Sequence, residues 1–212
     1  MLKQADCTRG MKSHTNGLAK GGYESIPMKR ILDLAGALTG IALLWPLALV
    51  VAAIVKLDTR GPALFVQQRV GRDERVFRCL KFRSMHVETP ERATHYSTPS
   101  DVTRVGRILR RTKLDELPQL LNVLAGDMSL VGPRPCLRSQ ASLIEARRKL
   151  GVFRVRPGIT GLAQVYELDM STPELLAKVD AVYVAQGNTV MDVRLIIASL
   201  PGLSRFRPHL DV

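Results

Sequence analysis

The chain has 212 residues, 46% of them hydrophobic, and this composition excludes general disorder and allows one domain with a real core. Its formal charge of +12 predicts an anionic partner, which narrows the choice to nucleic acid, a phosphorylated substrate or anionic lipid. Aromatic residues make up only 5%, and the sequence has neither zinc-finger spacing nor an aromatic and basic RNA-binding signature, so nucleic acid is disfavoured.

The first predicted element is a long apolar helix. A polar leader, residues 1–27, precedes it, and residues 34–55 then carry no charge. This run is long enough to span the core of a bilayer, and too long for an ordinary signal peptide. Trp45 and Pro46 lie at its midpoint, where the missing amide hydrogen and the proline ring can break and bend a helix.

The charges that flank this segment distinguish two membrane arrangements. Lys29 and Arg30 precede it, and Lys56 and Arg60 follow it. A single spanning helix would send one basic flank outward, whereas a helix that enters and returns keeps both flanks at the cytoplasmic surface. We therefore expect a re-entrant helix, with a simple spanning helix as the alternative.

Two alternating segments, 63–70 and 75–83, surround a polar turn and predict a β-hairpin. Because side chains alternate between the two faces of a strand, Lys81 and Arg83 are expected on one face and Phe82 on the other. Such a strand can present cations to a diphosphate. An ordinary basic strand that faces water has the same pattern.

The next predicted element is an amphipathic helix. Its arginines recur near helical spacing opposite three apolar residues: Arg104, Arg107, Arg110 and Arg111 against Val105, Ile108 and Leu109. Such a helix is suited to lie on an anionic membrane, where each cation near the surface contributes about 1 kcal/mol. A solvated basic face is the alternative.

The most informative stretch places two adjacent carboxylates, Asp115 and Glu116, ahead of an apolar helix predicted over 119–124. Pro118 disfavours helical conformation in the preceding residue and is best tolerated in the first turn of a helix. An alternative start at Thr112 would make Pro118 a kink inside the helix. Either start places Asp115 near the positive end of a helix dipole, which favours an ionised carboxylate and an anionic ligand.

These carboxylates are compatible with more than one role. A carboxylate can be a covalent nucleophile toward phosphorus, or a ligand for Mg²⁺, which prefers oxygen donors and usually holds substrate phosphates as well. Asp115 can equally be a helix cap, with Glu116 as its solvated neighbour. The carboxylate pair alone does not distinguish these roles, so the surrounding motifs have to be considered.

Arginines also lie in two predicted turns farther along the chain. Arg134 lies between two prolines on a rigid turn, from which a guanidinium can bind phosphate oxygens in a bidentate manner. Arg156 begins a second turn, with Pro157 and Gly158, that can approach a nucleotide phosphate. An exposed loop arginine is the alternative for each.

Two amphipathic helices are predicted near the end of the chain, over 173–186 and 192–200, before a short tail, 206–212. Their apolar stripes contain Leu175, Leu176 and Val179 in the first helix and Val193, Ile196 and Ile197 in the second. Such stripes indicate contacts with the core or with a membrane interface rather than a cofactor site.

Six motifs occur in order along the chain: KRILD at 29–33, GPALFVQQRVG at 61–71, KFRSM at 81–85, DELPQ at 115–119, GDMSLVGPRP at 126–135 and RPGITGLAQ at 156–164. Each motif alone is weak, whereas the ordered set is specific. The set resembles the monotopic phosphoglycosyl transferases, also called the bacterial sugar transferases. The similarity covers roughly residues 28–200, which is nearly the whole chain.

The resemblance implies a fold and a membrane arrangement. The expected fold is α+β and predominantly helical, with a re-entrant membrane helix hairpin over 28–58, a small β-hairpin and amphipathic interfacial helices. Residues 59–205 would form a catalytic domain that packs on this anchor at the cytosolic face, and the chain would correspond to the minimal catalytic form of the family.

The resemblance also implies roles for the anchor residues. Lys29, Arg30 and Asp33 are expected at the membrane interface, where Arg30 and Asp33, three residues apart on a helix, can pair. Pro46 is expected at the bend. Many relatives have serine before this proline, where the chain has Trp45, so the bend must be stabilised in another way.

The activity that the resemblance implies is transfer of a sugar 1-phosphate from a UDP-sugar to polyprenyl (undecaprenyl) phosphate. This step would release UMP at the cytosolic face of the bacterial inner membrane, early in an exopolysaccharide, O-antigen or related surface-glycan pathway. Asp115 is expected to form a covalent phosphosugar, and Glu116 to position Mg²⁺ or the acceptor, with Mg²⁺ held partly by this pair. The candidate phosphate-binding residues are Lys81, Arg83, Arg110, Arg134 and Arg156.

Other interpretations of the chain are a glycosyl transferase that releases UDP and a non-catalytic basic scaffold on anionic membrane lipids. Asp180 and Asp192 match acidic positions of the family, without an assigned chemical step. Neither the sugar, the pathway nor the oligomeric state follows from the sequence.

Overall fold

The structure is a computed structural model that describes residues 27–87, 89, 101–168 and 170–200. The predicted leader, apart from Pro27, and the predicted tail lie outside the described residues. The described elements are α1 (Pro27–Asp58), β1 (Leu64–Val70), β2 (Val76–Phe82), α2 (Arg104–Thr112), α3 (Gln119–Ala125), β3 (Ser129–Val131), α4 (Ala141–Lys149), β4 (Gly158–Thr160), α5 (Leu162–Val165), α6 (Pro173–Gln186) and α7 (Thr189–Ser199). Helices dominate beside two small two-stranded sheets, which confirms the α+β, predominantly helical prediction.

Helix α1 is long and apolar enough to cross a membrane, and only 11% of its most apolar window is buried in the protein. Ala37 near its start and Val51 and Val55 near its end are buried against other elements. Residues 42–47 between them are all exposed, and six residues cover more than one and a half helical turns. Because every side of the helix is uncovered there, its middle stands away from the body while both ends contact it.

The helix is continuous through Pro46, so the two expected arms of the hairpin are not separated by a break. The exposed middle contains Pro46, at the position where the bend was predicted. The re-entrant course through a membrane stays a prediction, as does the alternative of a spanning helix.

The start of α1 is fixed to the body by buried polar groups. Lys29 Nζ lies 3.2 Å from Asp33 Oδ1 and 2.6 Å from Asp192 Oδ2, on α7. Arg30 instead donates to the carbonyl groups of Val123 and Leu124, at the end of α3. The predicted pairing of Arg30 with Asp33 is therefore wrong.

The pair of Lys29 and Asp33 follows the i, i+4 spacing of a helix, whereas packing brings Asp192 to Lys29 and the end of α3 to Arg30. The side chains of Lys29 and Asp33 are buried in the protein, and their expected position at the membrane interface stays a prediction.

Strands β1 and β2 form the predicted antiparallel hairpin, with Gln67 opposite Cys79. Phe82 packs in a cluster with residues of α1 and α2, whereas Lys81 points to the opposite side and contacts Glu116. The alternation predicted from period two is confirmed for this pair.

Strands β3 and β4 are parallel, and their pairing holds together two turns that the sequence separates. Gly132 N donates to Thr160 O, and Gly158 N donates to Pro133 O. A Cβ atom at Gly158 would lie only 2.1 Å from Gly132 N, so this close approach requires glycine. The turn that carries Arg134 is thereby held beside β4.

Helices α2, α6 and α7 lie in the predicted segments, with two differences in the faces they bury, whereas α4 and α5 were not predicted. In α2, Leu109 packs against α1, but Ile108 is exposed, so the predicted apolar face is split. In α7, Leu195 and Ala198 face the core, whereas the predicted stripe contributes exposed residues, including Val193 and Ile196. Helix α7 also begins earlier than predicted, because the Asn188 side chain caps it by accepting from Met191 N.

Candidate active site

The two carboxylates lie in a short 3-10 turn, Leu114–Glu116, between α2 and α3. Helix α2 ends at Thr112, and the capping residue Lys113 adopts a left-handed conformation with a φ of 59°. Helix α3 begins at Gln119, directly after Pro118, which confirms the first of the two predicted starts. The alternative start at Thr112 is wrong, because Thr112 is the last residue of α2.

Glu116 is held by two cations that come from different parts of the chain. Lys81 Nζ, on β2, lies 2.7 Å from Glu116 Oε1, and Arg134 Nη2 lies 2.9 Å from the same oxygen. Burial raises the pKa of Glu116, but Arg134 and Lys81 together lower the pKa to about 2. Glu116 is therefore ionised at neutral pH and fixed in position.

Asp115 is buried as deeply as Glu116, with 7% of its surface exposed against 9%, but its carboxylate is not held in the same way. Among the described residues, no group donates a hydrogen bond to it. Burial raises the pKa of Asp115, Lys81 opposes this effect, and Glu116 adds to it. The carboxylate of Glu116 is thus fixed, whereas the oxygen lone pairs of Asp115 accept no hydrogen bond from the described residues. A nucleophile needs such available lone pairs.

Arg110 approaches the carboxylates from α2. Its Nε donates to Ser84 Oγ at 2.9 Å, which holds the guanidinium in place. Burial lowers the pKa of Arg110, and the charge of Asp115 acts in the opposite direction. Lys81, Arg110 and Arg134 are the predicted phosphate-binding residues that the structure brings together around the carboxylates.

The other two predicted phosphate-binding residues lie at helix ends. Arg83 donates to the carbonyl groups of Val55, Thr59 and Arg60 at the end of α1, at distances between 2.7 and 3.2 Å. Arg156 Nε donates to Gly126 O, just beyond α3, at 2.9 Å. Because these donors are used to terminate helices, their observed positions favour a structural role over phosphate binding.

The two acidic positions without an assigned step also hold elements together. Asp180 Oδ2 accepts from Arg147 Nε at 3.0 Å and from Arg147 Nη2 at 2.6 Å, and Arg147 Nη1 donates to Arg134 O at 2.8 Å. This buried pair therefore supports the turn that presents Arg134 to Glu116. Asp192, as described above, holds the start of α1.

A small cavity adjoins Glu116, and sequence reasoning assigned no role to two of the residues that line it. Its lining includes Arg69, Cys79, Lys81, Glu116, Gln119 and Arg134. Arg69 and Gln119 lie within the QQRVG and DELPQ motifs. Their place in these motifs was the feature of the sequence that indicated a functional role, but a motif does not show which way a side chain points.

Positive charge exceeds negative charge in this site. Among the described residues, four cations, Arg69, Lys81, Arg110 and Arg134, surround the two carboxylates, so positive charge exceeds negative charge by two in this part of the structure. In a mostly buried site this excess favours a ligand with several negative charges, such as a diphosphate.

Comparison with known proteins agrees with this chemistry. The chain is 42% identical over 184 residues to the UDP-glucose:undecaprenyl-phosphate glucose-1-phosphate transferase of Caulobacter vibrioides, covering 82% of this chain and 69% of that protein. It is 38% identical over 180 residues to the UDP-N-acetylgalactosamine-undecaprenyl-phosphate N-acetylgalactosaminephosphotransferase of Aeromonas hydrophila, covering 82% of this chain and 43% of that protein. It is 40% identical over 187 residues to the exopolysaccharide production protein PSS of Rhizobium leguminosarum bv. phaseoli, covering 82% of this chain and 93% of that protein.

The chain thus spans less than half the length of one of these relatives and nearly all of another. The model of the family described as bacterial sugar transferase matches residues 24–205, which include every described element of the fold and the whole site around Asp115 and Glu116. The chain belongs to the bacterial sugar transferase family.

Proposed function

We propose that the protein transfers a sugar 1-phosphate from a UDP-sugar to polyprenyl phosphate through a covalent intermediate on Asp115. The observation that carries this proposal is the asymmetry of the carboxylate pair. Glu116 is fixed by Lys81 and Arg134, whereas Asp115 is buried among cations with uncommitted lone pairs. This arrangement suits attack on a phosphorus atom whose negative oxygens the cations neutralise.

The names of the relatives support the substrate classes. The Caulobacter and Aeromonas proteins are named for different sugars, and both names include undecaprenyl phosphate. We therefore propose a UDP-sugar donor and an undecaprenyl phosphate acceptor for this chain, in a pathway for an extracellular or surface polysaccharide.

The reaction would consist of two displacements at the same phosphorus. A carboxylate oxygen of Asp115 attacks the phosphorus that bears the sugar, and the bond to the departing phosphate breaks, so that UMP leaves with the electron pair. A phosphate oxygen of polyprenyl phosphate then attacks this phosphorus and breaks its bond to Asp115. The carboxylate is restored, and the product is a polyprenyl diphospho-sugar.

Lys81, Arg110 and Arg134 would stabilise the negative charge that moves between the phosphates during both displacements. Glu116 would hold Lys81 and Arg134 in position, since both cations contact the same oxygen. Its low pKa keeps this anchor charged throughout the physiological range.

The donor set fits Mg²⁺ bound together with a substrate. Asp115 and the second oxygen of Glu116 offer carboxylate ligands, and Mg²⁺ usually takes one or two protein carboxylates along with substrate phosphates and water. We propose that these two residues would hold the ion, which would supply additional neutralisation of the diphosphate.

The exposed apolar surface of α1 and the family membership support association with a membrane, where a polyprenyl acceptor is confined. We propose the cytosolic face of the bacterial inner membrane, because basic segments flank α1 on both sides. Confinement to the surface of the acceptor raises the effective concentration of both partners.

The test is nucleotide release by purified protein in detergent, with Mg²⁺, undecaprenyl phosphate and a panel of UDP-sugars. We expect UMP from the wild-type protein, and Asp115→Asn should lower the rate by about a thousandfold or more, because the nucleophile is lost. Asp73→Asn, the same change in the exposed hairpin turn, is the matched control and should leave the rate unchanged.

The released nucleotide separates the alternatives. UDP would replace the proposal by direct glycosyl transfer, and no release from any donor would favour the scaffold. Incubation with the productive donor alone should add the mass of a sugar phosphate to the peptide that contains Asp115, and a sequential mechanism would leave that peptide unmodified.

A further inference from the structure

The small cavity beside Glu116 contains hydrogen-bond donors that the protein itself does not use. Gln119 is only 2% exposed, and its Nε2 has no acceptor among the described residues. Arg69 is 8% exposed, and its Nε likewise has none. Both residues line this cavity. Because buried donors are almost always hydrogen-bonded in folded proteins, two without an acceptor at one place indicate a ligand that accepts from them.

The orientation of Arg69 is set by its other donors. Its Nη1 donates to Pro135 O at 3.1 Å, and its Nη2 donates to Gln67 Oε1 at 2.6 Å. Gln67 and Pro135 thus fix the guanidinium from two sides, and Nε is the nitrogen that has no acceptor among the described residues. The site is therefore built before a ligand arrives.

The size and charge of the cavity define the acceptor. Its volume of about 10 Å³ corresponds to a single water or oxygen atom. Three cations, Arg69, Lys81 and Arg134, line it against one carboxylate, Glu116. Burial lowers the pKa of Arg69 to about 10, the neighbouring charge of Arg134 acts in the same direction, and the charge of Glu116 opposes both. Among the described residues, Arg69 forms no ion pair with a carboxylate, since Glu116 is bonded to Lys81 and Arg134. A negatively charged oxygen would supply both a hydrogen-bond acceptor for the two donors and a counter-charge for the cations.

We propose that this cavity receives one oxygen of a phosphomonoester, to which Gln119 Nε2 and Arg69 Nε donate hydrogen bonds. This inference rests on the proposed function and extends it to a phosphate other than the one that Asp115 attacks. Two molecules in the proposed reaction carry such a group: the UMP that leaves and the polyprenyl phosphate that enters.

Both phosphates belong at the same place for a geometric reason. In an in-line displacement the attacking and leaving oxygens lie on opposite sides of the phosphorus. Asp115 enters opposite UMP in the first displacement and leaves opposite polyprenyl phosphate in the second. UMP and polyprenyl phosphate therefore use the same side, and one set of donors can serve both in turn.

The test compares UMP with uridine in calorimetric titrations of the full-length protein in detergent. The wild-type protein should bind UMP at least tenfold more tightly than uridine. Gln119→Leu should weaken UMP binding about tenfold, the effect of one hydrogen bond to a charged group, and should leave uridine binding unchanged. Gln164→Leu, the same change at a glutamine outside the cavity lining, should alter neither affinity.

A second variant keeps the test valid if leucine perturbs the fold. Gln119→Glu keeps the size of the side chain but replaces its donor by a negative charge, so UMP binding should fall more than in the leucine variant. Undecaprenyl phosphate should compete with UMP for the wild-type protein, and should compete less effectively with the nucleoside uridine, which lacks the phosphate.

Three results would overturn the proposal. Equal affinities of the wild-type protein for UMP and uridine would mean that the cavity holds a water molecule. Unchanged UMP affinity in both Gln119 variants, or equal losses of UMP and uridine affinity in these variants, would show that Gln119 does not bind the phosphate. If undecaprenyl phosphate failed to compete, the site would serve the nucleotide alone and the shared use would be wrong. Nucleotide release in the activity assay tests the proposed function separately, because a protein that binds UMP through Gln119 but releases UDP would retain this site and lose that function.

Discussion

Asp115 and Glu116 are adjacent in the sequence, yet the structure gives them opposite tasks. Glu116 is bonded to two cations and stays ionised, whereas Asp115 is buried, receives no hydrogen bond from the described residues and has a raised pKa. The difference arises from the turn that contains them, which brings Glu116 into contact with Lys81 and Arg134, whereas Asp115 lies near the same cations without a hydrogen bond to them. Neither residue type nor spacing contains this information.

The pH dependence of kcat/KM should show these environments. Protonation removes the nucleophile, so activity should fall as the pH decreases through the pKa of Asp115, which burial places above its ordinary value of 3.8. Burial lowers the pKa of Lys81 below 10.5, so activity should also fall as the pH increases through that pKa, when Lys81 loses its charge.

Lys81→Arg should move the alkaline limb to higher pH, because arginine keeps its charge. Lys149→Arg, at an exposed lysine of α4, is the control and should leave both limbs in place. An acid limb at or below 3.8, or an alkaline limb that does not respond to Lys81→Arg, would contradict the assigned roles.

Arg83 allows a test of a structural role against a ligand-binding role. Its guanidinium donates to three carbonyl groups at the end of α1, so Arg83→Gln should lower the free energy of unfolding by about 1.5 to 3 kcal/mol. UMP affinity should change by less than about twofold, as in the conservative surface variant Arg111→Gln. Loss of UMP affinity without loss of stability, measured by denaturant titration and calorimetry, would restore the predicted phosphate-binding role.

At the scale of elements, the sequence predicted the position of α1 well but did not predict which of its residues contact the rest of the protein. Length and lack of charge predicted an apolar helix, and the structure has one at that place. The contacts at both of its ends, with an exposed middle, come only from tertiary packing. This arrangement favours a helix that returns to the side it left.

Cysteine labelling distinguishes the re-entrant from the spanning course. Cys7 lies in the leader, and Lys56→Cys would place a second thiol at the other end of α1. In spheroplasts, an impermeant maleimide should label neither thiol until the membrane is lysed. Cys79 and Cys136 are buried and add little background, and a Cys7→Ser variant isolates the second thiol. Labelling of one end from outside would show a spanning helix.

At the scale of the whole molecule, the excess of positive charge has two distinct uses. One part surrounds Asp115 and Glu116, and another lies on the exposed surface of α2, next to α1. Since α2 packs on the membrane-associated helix, its exposed arginines are close to the expected lipid surface. The charge therefore predicts both an anionic substrate and a preference for anionic lipid.

Lipid preference should depend on where the charge is removed. Replacing Arg104, Arg107 and Arg111 by glutamine should weaken the preference for phosphatidylglycerol over phosphatidylcholine vesicles by up to about a hundredfold at physiological salt, since each cation contributes about 1 kcal/mol. The control replaces Arg148, Lys149 and Arg154, exposed residues near the hairpin turn, with the same change in net charge. Equal effects in a vesicle flotation assay would show that total charge, rather than position, determines binding.

The sequence by itself determined the features that depend on local pattern. Period-two alternation around a polar turn gave the hairpin, the uncharged run gave α1, Pro118 gave the start of α3, and the ordered motifs indicated the family. It also supplied Lys81, Arg110 and Arg134 as candidate ligands. These inferences succeed because neighbours in sequence fix backbone conformation and the faces of each element.

Only the tertiary structure decided which charged groups meet. Lys81 and Arg134 are 35 and 18 residues from Glu116, and Asp192 is 163 residues from Lys29, which it holds together with Asp33. Local spacing pointed instead to an Arg30–Asp33 pair, and it did not show that Arg83 and Arg156 donate to carbonyl groups at helix ends. A buried charge takes the partner that packing brings within reach, so the uncommitted state of Asp115 and the unused donors of Gln119 and Arg69 could be found only in the folded chain.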